Sequence, residues 1–224
     1  MSQWILMGML CLGLAGGAEA QEVSMVKLPA PDMHGGKPLM QALKERHSTR
    51  EFSAEPLPQQ QLSNLLWAAV GVNRPQTGQR TAPSARDWRE IDVYVATHDG
   101  VYLYEPGGHA LRRVVAGDLR ARTGVQDFVA TAAVDLVYVA NLDRMSGADA
   151  EQKAFYSATD TGFIAQNVYL YCASAGLGTV VRGSVERAAL AAALGFTPQQ
   201  KIILAQSVGY PSRGLSMQQQ NIRE

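Results

Sequence analysis

Cysteine is nearly absent from this chain: Cys11 and Cys172 are the two among 224 residues. Cys11 lies in an N-terminal apolar run, so the remainder has no second thiol with which to form a disulfide, and cysteine usage is silent about redox compartment. Cys172 stands in the apolar helical setting Val168-Tyr169-Leu170-Tyr171-Cys172-Ala173 with no base beside it, and reads as a small core residue. Histidine is also scarce. His34, His47, His98 and His109 show neither HExxH nor paired-ligand spacing, which argues against a zinc centre, and no metal site is expected. The chain lacks a G-x-S-x-G nucleophile elbow and a GxxxxGK phosphate loop. Excess charge is missing too: 20 Lys and Arg balance 20 Asp and Glu, without a basic stripe. No footprint for nucleic acid or an anionic membrane follows from that balance. There is no internal repeat, and low complexity is confined to the Gln-containing tail after Met217.

Hydrophobic residues make up 46% of the chain, enough for one well-filled core and short of two ordinary domains. The run Trp4 to Ala15 is too short for a comfortable membrane span and ends in Ala18-Glu19-Ala20 before Gln21. A secretory signal peptide over residues 1–20, cut after Ala20, is therefore expected, with an exported, periplasmic product that keeps no stable membrane insertion. Met1-Ser2-Gln3 supplies no Lys or Arg, so an uncleaved anchor and lipidation at Cys11 stay open as rival readings. Residues 21–38, rich in Pro, Gly and polar side chains, read as an extended arm. A folded domain over 39–213 and a polar tail over 214–224 complete the organisation.

Within the domain, a short helix is expected from Leu39 to Glu45. A second runs from Pro58 to Val70, because Leu62, Leu65, Leu66, Ala69 and Val70 recur on one face, and Gly71 closes it. A loop spans Val72 to Arg86. Ile91–Ala96, Val101–Tyr104 and Leu111–Val115, separated by His98-Asp99-Gly100 and Gly107-Gly108, read as an antiparallel meander. Ala132–Ala140 has the unbroken apolar character of a central strand covered on both faces. The longest helix should run from Ala150 to Ala175, apolar around most of its second half, with Gly176 as its C-cap. A helix over Val185–Leu194 and a strand over Lys201–Gly209 follow. Asp135 and Asp143 read as solvated or capping groups, and Asn167 as satisfying backbone in a core or interface. Elements in this order define an α+β domain, a mainly antiparallel mixed sheet flanked by helices.

The stretch Arg46-His47-Ser48-Thr49-Arg50 sets two guanidiniums around a hydroxyl at a helix end. Arg offers fork-shaped donors and Ser a further hydrogen bond, so the group can cradle a phosphate; a solvated helix end explains the five residues equally well. Three further segments follow in order: Thr81-Ala82-Pro83-Ser84-Ala85, then Gly176-Leu177-Gly178-Thr179 leading to Arg182-Gly183, then Val208-Gly209-Tyr210-Pro211 with Arg213. Gly176-Leu177-Gly178 follows a helix instead of a strand, so it is not a dinucleotide fingerprint. Pro83-Ser84-Ala85 taken alone is an ordinary turn.

In their order and spacing these segments resemble the FMN-dependent nitroreductase superfamily, closest to its azoline (thiazole/oxazole) dehydrogenase-like branch. The resemblance covers the chain from Leu39 to Arg213. It implies a nitroreductase-like fold in an intimate homodimer with FMN at the subunit interface. It implies phosphate contacts from Arg46 and Ser48 with help from His47, and Arg50 at the pyrimidine edge of the flavin. Pro83 and Ser84 would lie along the flavin edge, Leu177 and Gly178 near N5 and O4, and Arg213, with Arg182 as a second candidate, would complete the phosphate site. Relatives often carry Asn after the Pro-Ser turn, where this chain has Arg86-Asp87-Trp88, so Arg86 and Asp87 are candidates without an assigned role. No catalytic side chain is expected; the role given to Arg50 is one of charge. The implied function is ping-pong electron transfer through FMN to a nitroaromatic, quinone or related conjugated small molecule, with NAD(P)H as a candidate donor. Azoline oxidation and a non-catalytic flavin-binding accessory module are the alternatives.

Overall fold

A computed structural model describes residues 24–212, so the leader, Arg213 and the polar tail lie outside the described residues. In chain order the elements are β1 (Met25–Lys27), α1 (Leu39–Glu45), α2 (Gln59–Val70), β2 (Val72–Arg74), β3 (Gln79–Arg80), β4 (Ile91–Ala96), β5 (Gly100–Glu105) and β6 (Ala110–Ala116). They continue with β7 (Val134–Asn141), α3 (Ala150–Ala175), β8 (Gly178–Arg182), α4 (Arg187–Ala193) and β9 (Gln200–Gly209). Seven strands form one sheet in the order β1-β6-β5-β4-β7-β9-β8, and β2 and β3 form a separate hairpin. Every pairing in the sheet is antiparallel, so the expected α+β architecture holds with no parallel pair among the described residues.

Strand β7 lies in the interior of the sheet, between β4 and β9, because its sequence suits both faces. Leu136, Tyr138 and Ala140 join the cluster under α2 and α3, while Val137 and Val139 join the cluster under α4. An alternating set of side chains, all apolar, is what an antiparallel strand needs when helices cover both sides. Helix α2 places Leu62, Leu65, Leu66, Ala69 and Val70 against the sheet, as its periodicity requires. Each fully buried leucine contributes about 1.5–3 kcal/mol.

Helix α3 spans 26 residues, begins with the reciprocal Asp149–Gln152 capping box and ends at Gly176 with φ 73°. The capping box satisfies two orphan N–H groups, and the left-handed C-cap conformation favours glycine. Ile164, Ala165, Val168 and Cys172 form its buried stripe, whereas Phe163 is exposed, so its second half is not enclosed on every side within one chain. The Asn167 side chain donates to Ala69 O at 3.3 Å, tying α3 to α2.

Several expectations need correction. The arm, extended as a strand at its start, is packed where no packing was expected: β1 pairs with β6 from Met25 opposite Arg112 to Lys27 opposite Ala110, and Leu28 is buried. Three residues are too few to show a period, and their partners lie far along the chain. The loop after Gly71 contains the β2–β3 hairpin and a 3-10 turn at Ala85–Asp87. Gly178–Arg182, to which no element was assigned, is a strand on β9. Asp135 is neither solvated nor capping: it is 0% exposed and pairs with Arg182 at 2.8 Å. Burial pushes its carboxyl up to about 7, against the downward pull of the Arg182 charge. Arg182 also donates to Thr123 O at 2.8 Å and is 3% exposed. It is an internal strut, and its guanidinium is engaged within the protein instead of completing a phosphate site.

Candidate cofactor site

Arg46 caps α1, and the next four residues leave the helix to run beside β8. Thr49 fastens the segment: it is buried, and its N–H donates to Thr179 O at 2.9 Å. Gly178 makes room for it. A Cβ at Gly178 would stand 2.7 Å from Thr49 Cγ2, closer than real Cβ contacts allow. The glycine thus serves the packing of Thr49 against the strand.

With Thr49 inside, its neighbours face outward. Ser48 Oγ and the Tyr169 hydroxyl share a hydrogen bond at 2.9 Å, and the same hydroxyl accepts from Val181 N–H at 3.0 Å. The Arg46 guanidinium lies over the Tyr169 ring, 5.2 Å from its centroid, a cation–π arrangement. His47 Nδ1 meets Glu45 O at 2.7 Å, which orients the ring. Arg50 is exposed. Among the described residues neither Arg46 nor Arg50 is engaged in an ion pair.

Two unpaired guanidiniums, a hydroxyl and an imidazole on one short segment form a donor set matched to a dianionic phosphate. The end of β9 closes the cluster, with Ser53 N–H donating to Tyr210 O at 2.9 Å and Phe52 bridging to Pro211. Ser212, the last described residue, donates its N–H to Glu51 O at 3.2 Å.

The structure therefore brings together Arg46, His47, Ser48, Arg50 and Gly178. Leu177 adjoins them but is buried, and its N–H is spent on Cys172 O at 2.8 Å, inside the helix cap. Pro83 and Ser84 sit elsewhere, at a cleft of about 240 Å³ lined by the β2–β3 hairpin and α3. Asp160, at that cleft, and Tyr169 are separated by about 14 Å of helix axis.

At the cleft, Ser84 Oγ accepts from Arg89 N–H at 2.8 Å and donates to Glu90 Oε2 at 3.2 Å. Asp160 Oδ2 accepts from Ala85 N–H at 2.8 Å. Between these anchors Arg86, Asp87 and Arg89 take φ of 50°, 55° and 52°. Each such residue costs on the order of 1 kcal/mol, and the three anchoring bonds hold the turn against that strain. Asp87 forms a bidentate pair with Arg89 at 2.7 Å, and Arg86 lies 5.3 Å over Trp88. Glu90 is fully buried, and its carboxyl is raised above the usual range, first by burial and then by the Asp160 carboxyl beside it.

Sequence reasoning missed Tyr169, Thr49, Glu90 and Asp160. Tyr169 is hidden in an apolar helical run, and nothing in its residue type separates it from Tyr171. The two carboxyls meet only through the packing of α3 on the turn before β4.

These features define a class: an α+β protein with an antiparallel sheet, a long helix and, beside the edge strand β8, two arginines free of ion pairs among the described residues. Comparison then supplies the family. The Nitroreductase family model matches residues 43–210, and the chain belongs to that family. A protein of Methanocaldococcus jannaschii, designated a nitroreductase, is 34% identical over 169 residues, covering 71% of this chain and 84% of that one. The solved structure of a protein from Ralstonia eutropha JMP134, likewise designated a nitroreductase, is 49% identical with a TM-score of 0.80, over 84% of this chain and 90% of that chain. Two likenesses speak for the fold alone. The NADPH:FMN oxidoreductase of Vibrio harveyi has 21% identity and a TM-score of 0.59, over 78% and 69% of the two chains. The Escherichia coli microcin synthetase McbBCD complex has 17% identity and a TM-score of 0.68, over 92% and 85%.

Proposed function

We propose that the protein is an FMN-dependent oxidoreductase acting on a small conjugated acceptor. The observation that carries this reading is the unpaired Arg46 and Arg50 beside Ser48, on a segment that Thr49 locks to β8. Arg46, Ser48 and His47 would hold the phosphate, and Arg50 would place positive charge at the pyrimidine edge of the ring, where it favours the reduced form. When bound, FMN supplies the two-electron chemistry of a ping-pong cycle, between a donor such as NAD(P)H and a nitroaromatic, quinone or related acceptor. The protein's part is to bind, orient and bias that group, with Tyr169 fixing Arg46 and Ser48. The oxidoreductase named for NADPH and FMN among the fold's relatives supports this choice.

Two further expectations belong to the proposal. Leu39, Met40 and Leu43 expose 63%, 75% and 44% of their surface on α1, next to the cation cluster, and this apolar face suits a second copy of the chain. Sedimentation of the full chain tests that dimer. Export rests on the leader over residues 1–20, and cell fractionation with N-terminal sequencing tests it.

The functional test is the absorption spectrum and flavin content of the purified protein, followed by anaerobic mixing with NADH or NADPH. About one FMN per chain, bleached on mixing, is expected. Bound FMN that no common donor reduces would favour the accessory-module alternative, and a colourless protein that refuses added FMN would end the reading.

A further inference from the structure

We propose that the cavity of about 530 Å³ between the N-terminal arm, α2 and α3 binds a quaternary ammonium compound, drawn in by the Asp32 carboxylate and housed against Trp67 and Tyr171. The site does not rest on the flavin reading. Its arm wall, within residues 31–36, precedes the stretch 43–210 matched by the family model, so that wall lies outside what the family model describes.

Three observations carry it. First, the cavity has fixed walls. Asp32 N–H donates to Asn64 Oδ1 at 2.8 Å, the Gln60 side chain donates to Ala30 O at 2.9 Å, and Ser63 Oγ donates to Pro29 O at 2.6 Å, which ties the arm to α2. Lys37 N–H donates to Ser174 Oγ at 2.6 Å and ties the far end of the arm to α3. Walls set in advance lower the ordering cost of binding.

Second, the cavity carries charge of one sign. Among the described residues that line it only Asp32 is charged, and Asp32 takes part in no ion pair among the described residues. Lys37, at the end of the arm, is engaged by Glu45. Asp32 Oδ1 accepts from His34 N–H at 2.9 Å, and Oδ2 accepts from none of the described residues. The carboxylate is felt across the cavity: burial first, with the Asp32 charge among the lesser causes, pushes the Tyr171 phenol up to about 12. A ligand cation would meet a carboxylate that the fold leaves uncompensated.

Third, most other polar groups of the walls are engaged within the protein. Trp67 Nε1 donates to Val72 O at 3.2 Å, the Tyr171 hydroxyl to Gln61 O at 3.3 Å, and Ser174 Oγ to Lys37 O at 3.3 Å. Gln61 Oε1 accepts from the Tyr210 hydroxyl at 2.6 Å, and Asn64 Oδ1 from the Gln60 side chain at 2.9 Å. A primary ammonium carries three donors that need acceptors in place of water. A quaternary ammonium donates no hydrogen bond and is held by charge and by aromatic contact, which are what this cavity offers. Pro31, Met33 and Pro58 add apolar surface for its methyl groups.

The test is isothermal titration of the full chain with choline and with ethanolamine, the same skeleton without the methyl groups. The expected result is saturable choline binding, at least about tenfold tighter than that of ethanolamine. Asp32→Asn should weaken choline binding at least about tenfold, although its amide oxygen can go on accepting from His34 N–H, and Tyr171→Leu should weaken it about as much. Circular dichroism checks that both variants are folded, and the wild-type comparison of the two amines stands without them. Undetectable binding at about 10 mM choline, ethanolamine binding as tightly as choline, or unchanged choline affinity in either folded variant would each overturn the proposal.

Discussion

Arg46 and Arg182 were both legible as candidates for one phosphate, yet the fold uses them in opposite ways. Arg46 lies half-exposed over Tyr169 without an acidic partner, while Arg182 is 3% exposed and locked to Asp135 and Thr123. The difference follows from which side of the sheet edge each occupies. Residues 46–50 run outside β8, fastened to it through Thr49 and to α3 through Tyr169, and their guanidiniums are left without an acidic partner among the described residues. Arg182 ends β8 on its inner side, where a charge without a countercharge would be prohibitive and Asp135 supplies it. A guanidinium becomes a ligand site when the fold leaves it unpaired, and a strut when the fold pairs it.

The most disruptive way to probe this contrast is Arg182→Ala. It leaves the Asp135 carboxyl buried without its partner and should cost about 3–5 kcal/mol of stability by urea denaturation. Arg46→Ala and Arg50→Ala should do the reverse: stability within about 0.5 kcal/mol of wild type, with FMN affinity down at least about tenfold by fluorescence titration. Gly178→Ala forces a Cβ against Thr49 and should cost about 1–3 kcal/mol, with Thr49→Ala in the same chain restoring much of it. Tyr169→Phe removes the hydroxyl shared by Ser48 and Val181, for about 1 kcal/mol, and should loosen FMN without abolishing it.

The smallest expected effect concerns pH. Glu90 keeps its proton to higher pH in the folded chain than its ordinary value of 4.5. Its contribution to stability is therefore complete below that value and is lost as pH rises through the raised folded value. Glu90→Gln should flatten that decline in a series of urea midpoints between about pH 4 and about pH 8.

Much of the scaffold was legible because it repeats. The apolar face of α2, the caps of α3, the β4–β6 meander and the doubly apolar β7 each carry a period or a capping residue that local physics reads directly. β1 and β8 carried no such signal. They are short edge strands, and the partners that make them strands lie far along the chain. The cation cluster was visible as residue types on one short segment, whereas Pro83 and Ser84 lie apart from it within one chain. The supports of the cluster were not visible: Thr49 under Gly178 and Tyr169 under Arg46 are pairings across more than a hundred residues. Asp135 was misread for the same reason, since a lone Asp in an apolar run does not disclose the arginine that neutralises it.

FMN titration of the full chain beside its Arg46→Ala/Arg50→Ala double variant tests the central claim most directly, with urea stability recorded for both. The account predicts stoichiometric binding by the wild type and at least about a hundredfold weaker binding by an equally stable double variant. Equal FMN affinity in the two proteins would contradict it.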